Sequence, residues 1–312
     1  GEDVSALFSG ERFAPEPLLA DEQLVNEAEA SLPVALNFPD FLLPELMRSL
    51  GGDLPAVMEA MSQRAPVDLR VNSLKATVDE AERMLARDLI FTEPHALATN
   101  ALRITQNPRK LARSLAYDYG LVELQDASSQ AVAVFCGAKA GMTVLDYCAG
   151  GGGKTLALAA DMGGKGVLLA HDANARRMKD LPERARRAGA SVQVLSSEAL
   201  RQNRPVCDLV VVDAPCTGTG AWRRNPDAKW RMDQPFVDKV TALQAQILDE
   251  AAQYVRTGGV MTYATCSILS VENGDQVAAF LERNAGWVLE EDMSLTPVQG
   301  GDGFYCARLR RS

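Results

Sequence analysis

Histidine is nearly absent from this chain: 312 residues carry only His95 and His171. That scarcity argues against a Ser-His-Asp triad and against a multi-histidine metal centre. Six cysteines occur, at 136, 148, 207, 216, 266 and 306, and no two are spaced CxxC. Neither a zinc site nor a disulfide framework is expected, no metal is expected, and a reduced, cytoplasmic setting is the simplest reading. No apolar run approaches the length of a membrane span and no signal peptide opens the chain, so no membrane partner is expected. Gly1 reads as an added or trimmed start, which leaves open an upstream segment.

The net charge of −9 conceals an asymmetry. Residues 1–60 hold 12 acids against 2 bases, a net −10, and the remainder holds 29 against 30, a net +1. Within that remainder, 176–187 is net +4 and 223–231 is net +3. A polyanionic partner responds to a local basic face more than to the sum, although two solvated faces would look the same by charge alone.

Three stretches differ in pattern. Residues 1–65, acidic and interrupted by Pro15, Pro17, Pro33, Pro39, Pro44 and Pro55, read as short helices joined by turns. Residues 66–124 read as a small α+β unit, with strands over 69–74, 101–105 and 120–124 and a helix over 77–88 capped by Thr77. A capped helix over 126–136 opens a third region, 125–312. Strands are expected there over 143–147, 166–170, 192–195, 209–213, 260–263, 287–290 and 304–309, and helices over 154–161, 174–188, 235–255 and 271–284. Such alternation predicts an α/β fold: a doubly wound, mainly parallel, Rossmann-like sheet with a small N-terminal α+β domain.

Cys148-Ala149-Gly150-Gly151-Gly152-Gly153-Lys154-Thr155 follows a strand and opens a helix. A Walker A loop needs glycine where Cys148 stands, and a GxGxxG fingerprint would need glycine at Thr155 or Leu156, so both patterns fail. A loop for S-adenosylmethionine needs close backbone approach but no phosphate cradle. Asp172, about twenty residues further on at a strand end, suits ribose hydroxyls. That acid does not by itself separate S-adenosylmethionine from NAD, and capping the following helix is its competing role.

Cys216 and Cys266 each follow a buried-strand pattern and sit among polar, turn-forming residues, whereas Cys136, Cys207 and Cys306 read as small core hydrophobes. Strand ends of an open α/β sheet share one rim. Two thiols beside a cofactor loop suit covalent catalysis, and methylation of a pyrimidine at carbon 5 needs such a set. A thiolate adds to carbon 6, an acid holds ring nitrogen 3, a base removes the carbon 5 proton, and a cofactor donates the methyl group. Asp213 supplies an acid, and Lys154 can orient it and favour a thiolate.

The segments Asp146-Tyr-Cys148-Ala-Gly-Gly-Gly-Gly-Lys154-Thr155, Asp213-Ala-Pro-Cys216-Thr-Gly-Thr-Gly220 and Tyr263-Ala-Thr-Cys266-Ser267 resemble the RNA cytosine-5 methyltransferases of the RsmB (Fmu/Sun) type. So do Leu69-Arg70-Val71-Asn72, Gln125-Asp126-Ala-Ser-Ser129-Gln130, Arg223-Arg224-Asn-Pro226-Asp227-Ala-Lys229-Trp230 and Asp302-Gly303-Phe304, so that the likeness covers roughly 60–312. The resemblance implies S-adenosylmethionine as cofactor, held by residues 148–154, Asp172 and Asp213. It implies Cys266 as nucleophile, Cys216 as the thiol that resolves the adduct, and Lys154 and Asp213 at the target base. Two departures stand out: Gly150-Gly151 replaces Ala-Pro, and Ser196-Ser197-Glu198 stands where a third acid approaches the adenine, leaving Ser197 as the candidate contact. The bacterial members' NusB-like RNA-binding domain is not recognisable in 1–60.

RNA is the implied partner, ribosomal first and transfer second, with the chain acting as a monomer. Arg70, Asn72, Arg223, Arg224, Lys229 and Arg231 are the candidate RNA contacts, with Arg103, Arg109, Lys110 and Arg113 as further phosphate candidates. Trp230 reads as core packing in preference to base stacking. A DNA or small-molecule methyltransferase of the same fold is the runner-up, and a catalytically silent RNA-binding assembly factor the third reading.

Overall fold

The computed structural model describes residues 4–19 and 30–312. The expected short helices of 1–65 appear at 4–7 and between 32 and 62, residues 8–19 form none, and residues 1–3 and 20–29 lie outside the described residues. Helices α1 (Leu32–Ala35), α2 (Leu43–Leu50) and α3 (Leu54–Ser62) each carry proline in the first turn, where a missing N–H costs nothing.

A four-stranded antiparallel sheet follows, built from β1 (Asp68–Val71), β2 (Phe91–Pro94), β3 (Ala101–Gln106) and β4 (Val122–Leu124) in the order β2-β3-β1-β4. Helix α4 (Val78–Arg87) packs Ala81 and Leu85 against it and starts at a full capping box between Thr77 and Glu80. The short α5 (Leu115–Asp118) leads into β4. Strand β2 escapes the sequence pattern because it is a mostly exposed edge ending at Pro94.

Helix α6 (Ala127–Cys136), capped by the Asp126 carboxylate on the Ser128 and Ser129 amides, leads into the main sheet. Its strands are β5 (Thr143–Asp146), β6 (Val167–His171), β7 (Gln193–Leu195), β8 (Cys207–Asp213), β9 (Val255–Thr265), β10 (Trp287–Leu295) and β11 (Phe304–Arg311). They lie in the order β10-β11-β9-β8-β5-β6-β7, with β5 to β9 parallel and β11 antiparallel to both its neighbours. The connecting helices are α7 (Gly153–Asp161), α8 (Leu181–Ala188), α9 (Ser197–Asn203), α10 (Gln234–Ala251) and α11 (Gly274–Arg283). The fold is thus the expected mixed α/β sheet behind a small N-terminal α+β unit.

Alternate residues of β8 serve opposite faces. Val210 and Val212 join Leu248, Tyr263 and Phe280, whereas Leu209 and Val211 join Val144, Leu158 and Met162. Burial on both faces explains the continuous apolar run. The helix predicted over 174–188 is broken in two, because Pro182 near the start of α8 removes an amide that a continuous helix would need. Helix α9, unforeseen, starts where Ser196 caps the Ala199 amide.

The chain crosses from one half of the sheet to the other at β5 and β8, so the crevice opens above their carboxyl ends. Helices α2 and α3 brace that rim from outside: Leu46, Leu54, Val57 and Met58 pack with Trp222, Ile268 and Leu269. Among the described residues no helix is long and apolar enough to cross a membrane.

Candidate active site

The glycine loop runs from the end of β5 to the start of α7. The Ala149 amide donates to His171 O at 2.8 Å and the Gly150 amide to Asp172 Oδ2 at 3.0 Å, which ties the loop to the end of β6. Gly152, at φ +83, has no alternative, because a Cβ there would stand 2.3 Å from Leu181 Cδ1. Asp172, almost wholly buried, also accepts from the Asn174 amide at 2.9 Å and pairs with Arg177 at 3.2 Å. The helix-capping role that competed with ribose binding falls instead to Asn174, whose side chain accepts from the Arg176 amide at 3.3 Å. Cys148 lies in the loop with its thiol pushed well up by burial.

Ser197 opens α9. Its hydroxyl stands 2.9 Å from His171 Nε2, whose Nδ1 faces Tyr147 O at 2.8 Å. A carbonyl only accepts, so Nδ1 carries a proton; in the neutral ring Nε2 then accepts from Ser197, whose oxygen keeps its lone pairs for a donor. Tyr147, His171 and Ser197 line a cavity of about 320 Å³ beside the loop.

Lys154, in the first turn of α7, is buried and donates to Asp213 Oδ2 at 2.8 Å. Burial works against its charge, but the charge and hydrogen bond of Asp213 outweigh it and hold the ammonium above its ordinary value, with the sulfur of Cys266 adding in the same sense. Its Nζ also stands 4.8 Å over the Phe304 ring.

Cys216, on the loop after β8, and Cys266, just after β9, approach to 3.3 Å between sulfurs. The hydrogen bond with Cys266, then burial, then the charges of Cys266 and Glu272 push the Cys216 thiol well above its ordinary value. Backbone bonds fix this approach. The Gly220 amide donates to Cys266 O at 2.9 Å, and the Gly303 amide to Gly220 O at 2.8 Å. Gly220 must be glycine, since a Cβ would stand 2.2 Å from Gly303 O. Cys266 opens into a cavity of about 480 Å³ lined also by Gln125, Asp126, Arg224, Asp302 and Phe304. Cys136, Cys207 and Cys306 are buried, as expected of core thiols.

The six candidate RNA contacts fare differently. Arg70 is buried, donates to Gln125 Oε1 at 2.7 Å, and has its pKa lowered to about 10 by that burial. Asn72 is buried and clips Gly120 O to Ala188 O, joining the small sheet to the end of α8. Arg223 is buried against Asp302 at 2.8 Å, and Arg224 bridges Asp302 and Asp126. Lys229 is buried, and the burial lowers its pKa. Only Arg231 is widely exposed, paired with Asp227. The expectation of an exposed RNA face is thus corrected at four residues: Arg70, Asn72 and Arg223 are committed to partners within the structure, and Lys229 is buried. Arg103, a further phosphate candidate, is likewise engaged with Asp68 at 2.8 Å. Arg109, Lys110, Arg113, Arg176, Arg177 and Arg186 are exposed. Trp230 is corrected too, being 55% exposed with Lys229 Nζ 5.4 Å over its ring, while Trp222 is the buried one. Phe304, Asp126 and Asp302 enter the site without having been assigned a role, although their motifs were visible.

Two family models match: one described as 16S rRNA methyltransferase RsmB/F over residues 134–310, the other as the RsmF/B-like ferredoxin-like domain over 38–109. Ribosomal RNA small subunit methyltransferase B of Serratia proteamaculans is 33% identical over 284 residues, 87% of this chain and 66% of that protein. The Salmonella typhi protein of the same name is 33% identical over 301 residues, 92% of this chain and 69% of that one. The structure of a methyltransferase homologue from Pyrococcus horikoshii superposes with a TM-score of 0.78 at 24% identity, over 90% of this chain and 97% of that one. The chain therefore spans just under two thirds of the first of these relatives. On the match over residues 134–310 and the identity along most of its length, the chain belongs to the 16S rRNA methyltransferase RsmB/F family.

Proposed function

We propose that this chain methylates carbon 5 of a cytosine in RNA, ribosomal RNA first, with S-adenosylmethionine as donor and a covalent bond from Cys266 to carbon 6 of the base. The observation that carries this reading is the 3.3 Å approach of two thiols from separate loops, beside the Lys154–Asp213 pair.

The rim fits the donor. A glycine loop tied to Asp172 offers close backbone approach and a ribose partner, and Ser197 offers an acceptor beside a cavity with room for a flat ring. Bound there, the cofactor supplies an electrophilic methyl group. Residues 148–154, Asp172, Ser197 and Asp213 hold it.

The base must leave its stack to reach Cys266, and the cavity between the two sheets receives it. Cys266 opens into that cavity, whereas Cys216 does not line it and is held as a thiol. Cys266 is thus the sulfur placed to attack. Asp213, oriented by Lys154, holds ring nitrogen 3. Once Cys266 is bonded to carbon 6, its hydrogen bond to Cys216 and its charge are gone, and with them the leading cause that keeps Cys216 protonated. Once Cys216 has given its own proton to solvent, its thiolate takes the carbon 5 proton, and the electron pair left behind forms the carbon 5–carbon 6 double bond and expels Cys266 as a thiolate, which restores the ring.

Incubating each cysteine variant with unmethylated small-subunit RNA and S-adenosylmethionine tests the assignment. Cys216→Ala should give an RNA–protein band stable on a denaturing gel, and Cys266→Ala neither product nor band. The band appearing with Cys266→Ala instead would exchange the two roles. No methylation of any RNA by the parent chain, with cofactor bound, would remove the reading.

A further inference from the structure

Both cysteine loops meet a third group that the sequence reading passes over. Glu272, in the turn just before α11, is fully buried. Its Oε2 accepts from the Thr217 amide at 2.8 Å and from Gln244 Nε2 at 2.9 Å. Its Oε1 accepts from the hydroxyls of Thr217 and Ser267, each at 2.5 Å. Thr217 is the residue after Cys216, and Ser267 is the residue after Cys266. One carboxylate therefore grips the chain next to each sulfur.

The surrounding bonds make this grip rigid. Gln244, buried on α10, also donates to Pro215 O at 3.0 Å, so Cys216 is bracketed on both sides. Thr219 Oγ1 lies 2.9 Å from Ser267 Oγ and accepts from the Ile268 amide at 3.0 Å. Tyr263, near the end of β9, donates its hydroxyl to Glu272 O at 2.7 Å. A buried carboxylate is costly unless its lone pairs are met, and an apolar side chain of similar volume would pack at less cost. An ionised carboxylate is, however, the side chain that accepts from four donors at once.

We propose that Glu272 is a positioning residue for the two-thiol centre: by holding Thr217 and Ser267 together it sets the approach of the Cys216 and Cys266 sulfurs. The inference rests on the proposed roles of those two cysteines. Its negative charge also acts on Cys216 in the sense already described, after the larger effects of the Cys266 hydrogen bond and burial.

The test reads sulfur proximity without RNA. In a glutathione redox buffer the two thiols can be oxidised to an internal disulfide while one glutathione disulfide is reduced to two glutathione molecules, the two thiol protons passing to the released glutathione. Alkylation followed by peptide mapping counts which cysteines remain free. The parent chain should close the Cys216–Cys266 bond. Glu272→Ala should require a buffer at least about tenfold more oxidising, because the buried donors lose their acceptor and the loops separate. Glu272→Gln should stay within about twofold of the parent, since its carbonyl can serve Thr217 N–H and Gln244 while the two hydroxyls turn to accept from its amide. Methyl transfer by Glu272→Ala should fall in kcat with little change in cofactor KM.

Equal cross-linking by the parent and a cooperatively melting Glu272→Ala overturns the proposal. Should that variant fail to fold, Thr217→Val and Ser267→Ala, each lacking one hydroxyl donor, carry the same test, and no shift in either overturns it. Cross-linking as expected with no RNA methylation by the parent would instead remove the proposed function and leave the positioning role standing.

Discussion

Lys154 Nζ and Asp213 Oδ2 stand 2.8 Å apart across the point where the sheet changes direction, joining the helix that follows the glycine loop to the strand that leads to Cys216. The lysine is buried and the carboxylate one-third exposed toward the crevice, so the pair is anchored at its cationic end and presents its anionic end. Lys154→Met should therefore leave Asp213 free to rotate and remove the positive charge near Cys266. The expected loss in kcat is about 100-fold or more, with cofactor affinity changed far less. Lys154→Arg should not rescue it, since the longer, planar guanidinium does not fit the buried place of a compact ammonium and presents its donors to Asp213 in a different geometry. Single-turnover methylation with a separate cofactor titration measures both quantities.

In the proposed cofactor site, Asp172 and Ser197 should act as a graded pair. Asp172→Ala removes the acid of the rim and also frees the Gly150 amide, so a rise of at least about tenfold in the cofactor Kd is expected. Ser197→Ala removes one neutral acceptor and should cost no more than about tenfold, the range of an ordinary hydrogen bond. Calorimetric titration of both variants checks the order. A larger effect at Ser197 than at Asp172 would show that the adenine end, not the ribose, dominates.

The central strands and the rim could be read in the sequence because both obey local rules. The run before Asp213 is apolar throughout since it is buried on both faces, and the glycine loop sits between a strand and a helix. The fate of the cations could not be read that way. Arg70, Arg223 and Lys229 look like any surface base in one dimension, and what buries them is Gln125, Asp302 and the packing of distant segments. Glu272 was hidden for the same reason: its donors come from residues 217, 244 and 267, three separate elements. Trp230 was misjudged because its neighbour Trp222 fills the core position that a single buried tryptophan would take.

The burial of Arg223 yields a stability prediction. Its guanidinium and the Asp302 carboxylate are both about 95% removed from solvent, their side chains 5% and 4% exposed. Asp302→Ala leaves a buried cation without its main partner, and a loss of about 3–5 kcal/mol is expected. Arg231→Ala, on an exposed pair with Asp227, should change stability by less than about 0.5 kcal/mol. Urea unfolding followed by circular dichroism separates the two.

Arg109, Lys110 and Arg113 are exposed on the small α+β unit. If they meet RNA phosphates, replacing all three by alanine should weaken RNA binding and flatten its salt dependence. The slope of log K against log salt should fall by about 2, three contacts at roughly 0.7 each on a single strand. The melting temperature should not move. An unchanged slope would place the RNA path elsewhere, with the exposed Arg176, Arg177 and Arg186 the next cations to replace.

Asp146 ends β5 directly beneath the glycine loop and is fully buried. Thr155 donates to its Oδ2 at 2.6 Å, and its Oδ1 has no partner. Burial pushes its pKa from 3.8 up to about 7; the Thr155 bond and Lys154 oppose the rise, and the charges of Asp213 and Asp172 add to it. A carboxyl whose pKa is raised on folding binds its proton more tightly in the native state than in the unfolded one. The native state therefore holds more protons across the window from about pH 4 to about pH 7, and stability falls as pH rises through it. Below that window the contribution is fully present, and above it the native state carries a buried charge. Asp146→Asn keeps an acceptor for Thr155 and cannot ionise. Its melting temperature should be close to that of the parent at pH 4 and exceed it progressively toward pH 8. Asp161 is present in both proteins, so its titration cancels from the difference. Parallel melting curves across that range would mean that Asp146 is already ionised in the native state at pH 4, as it is in the unfolded chain.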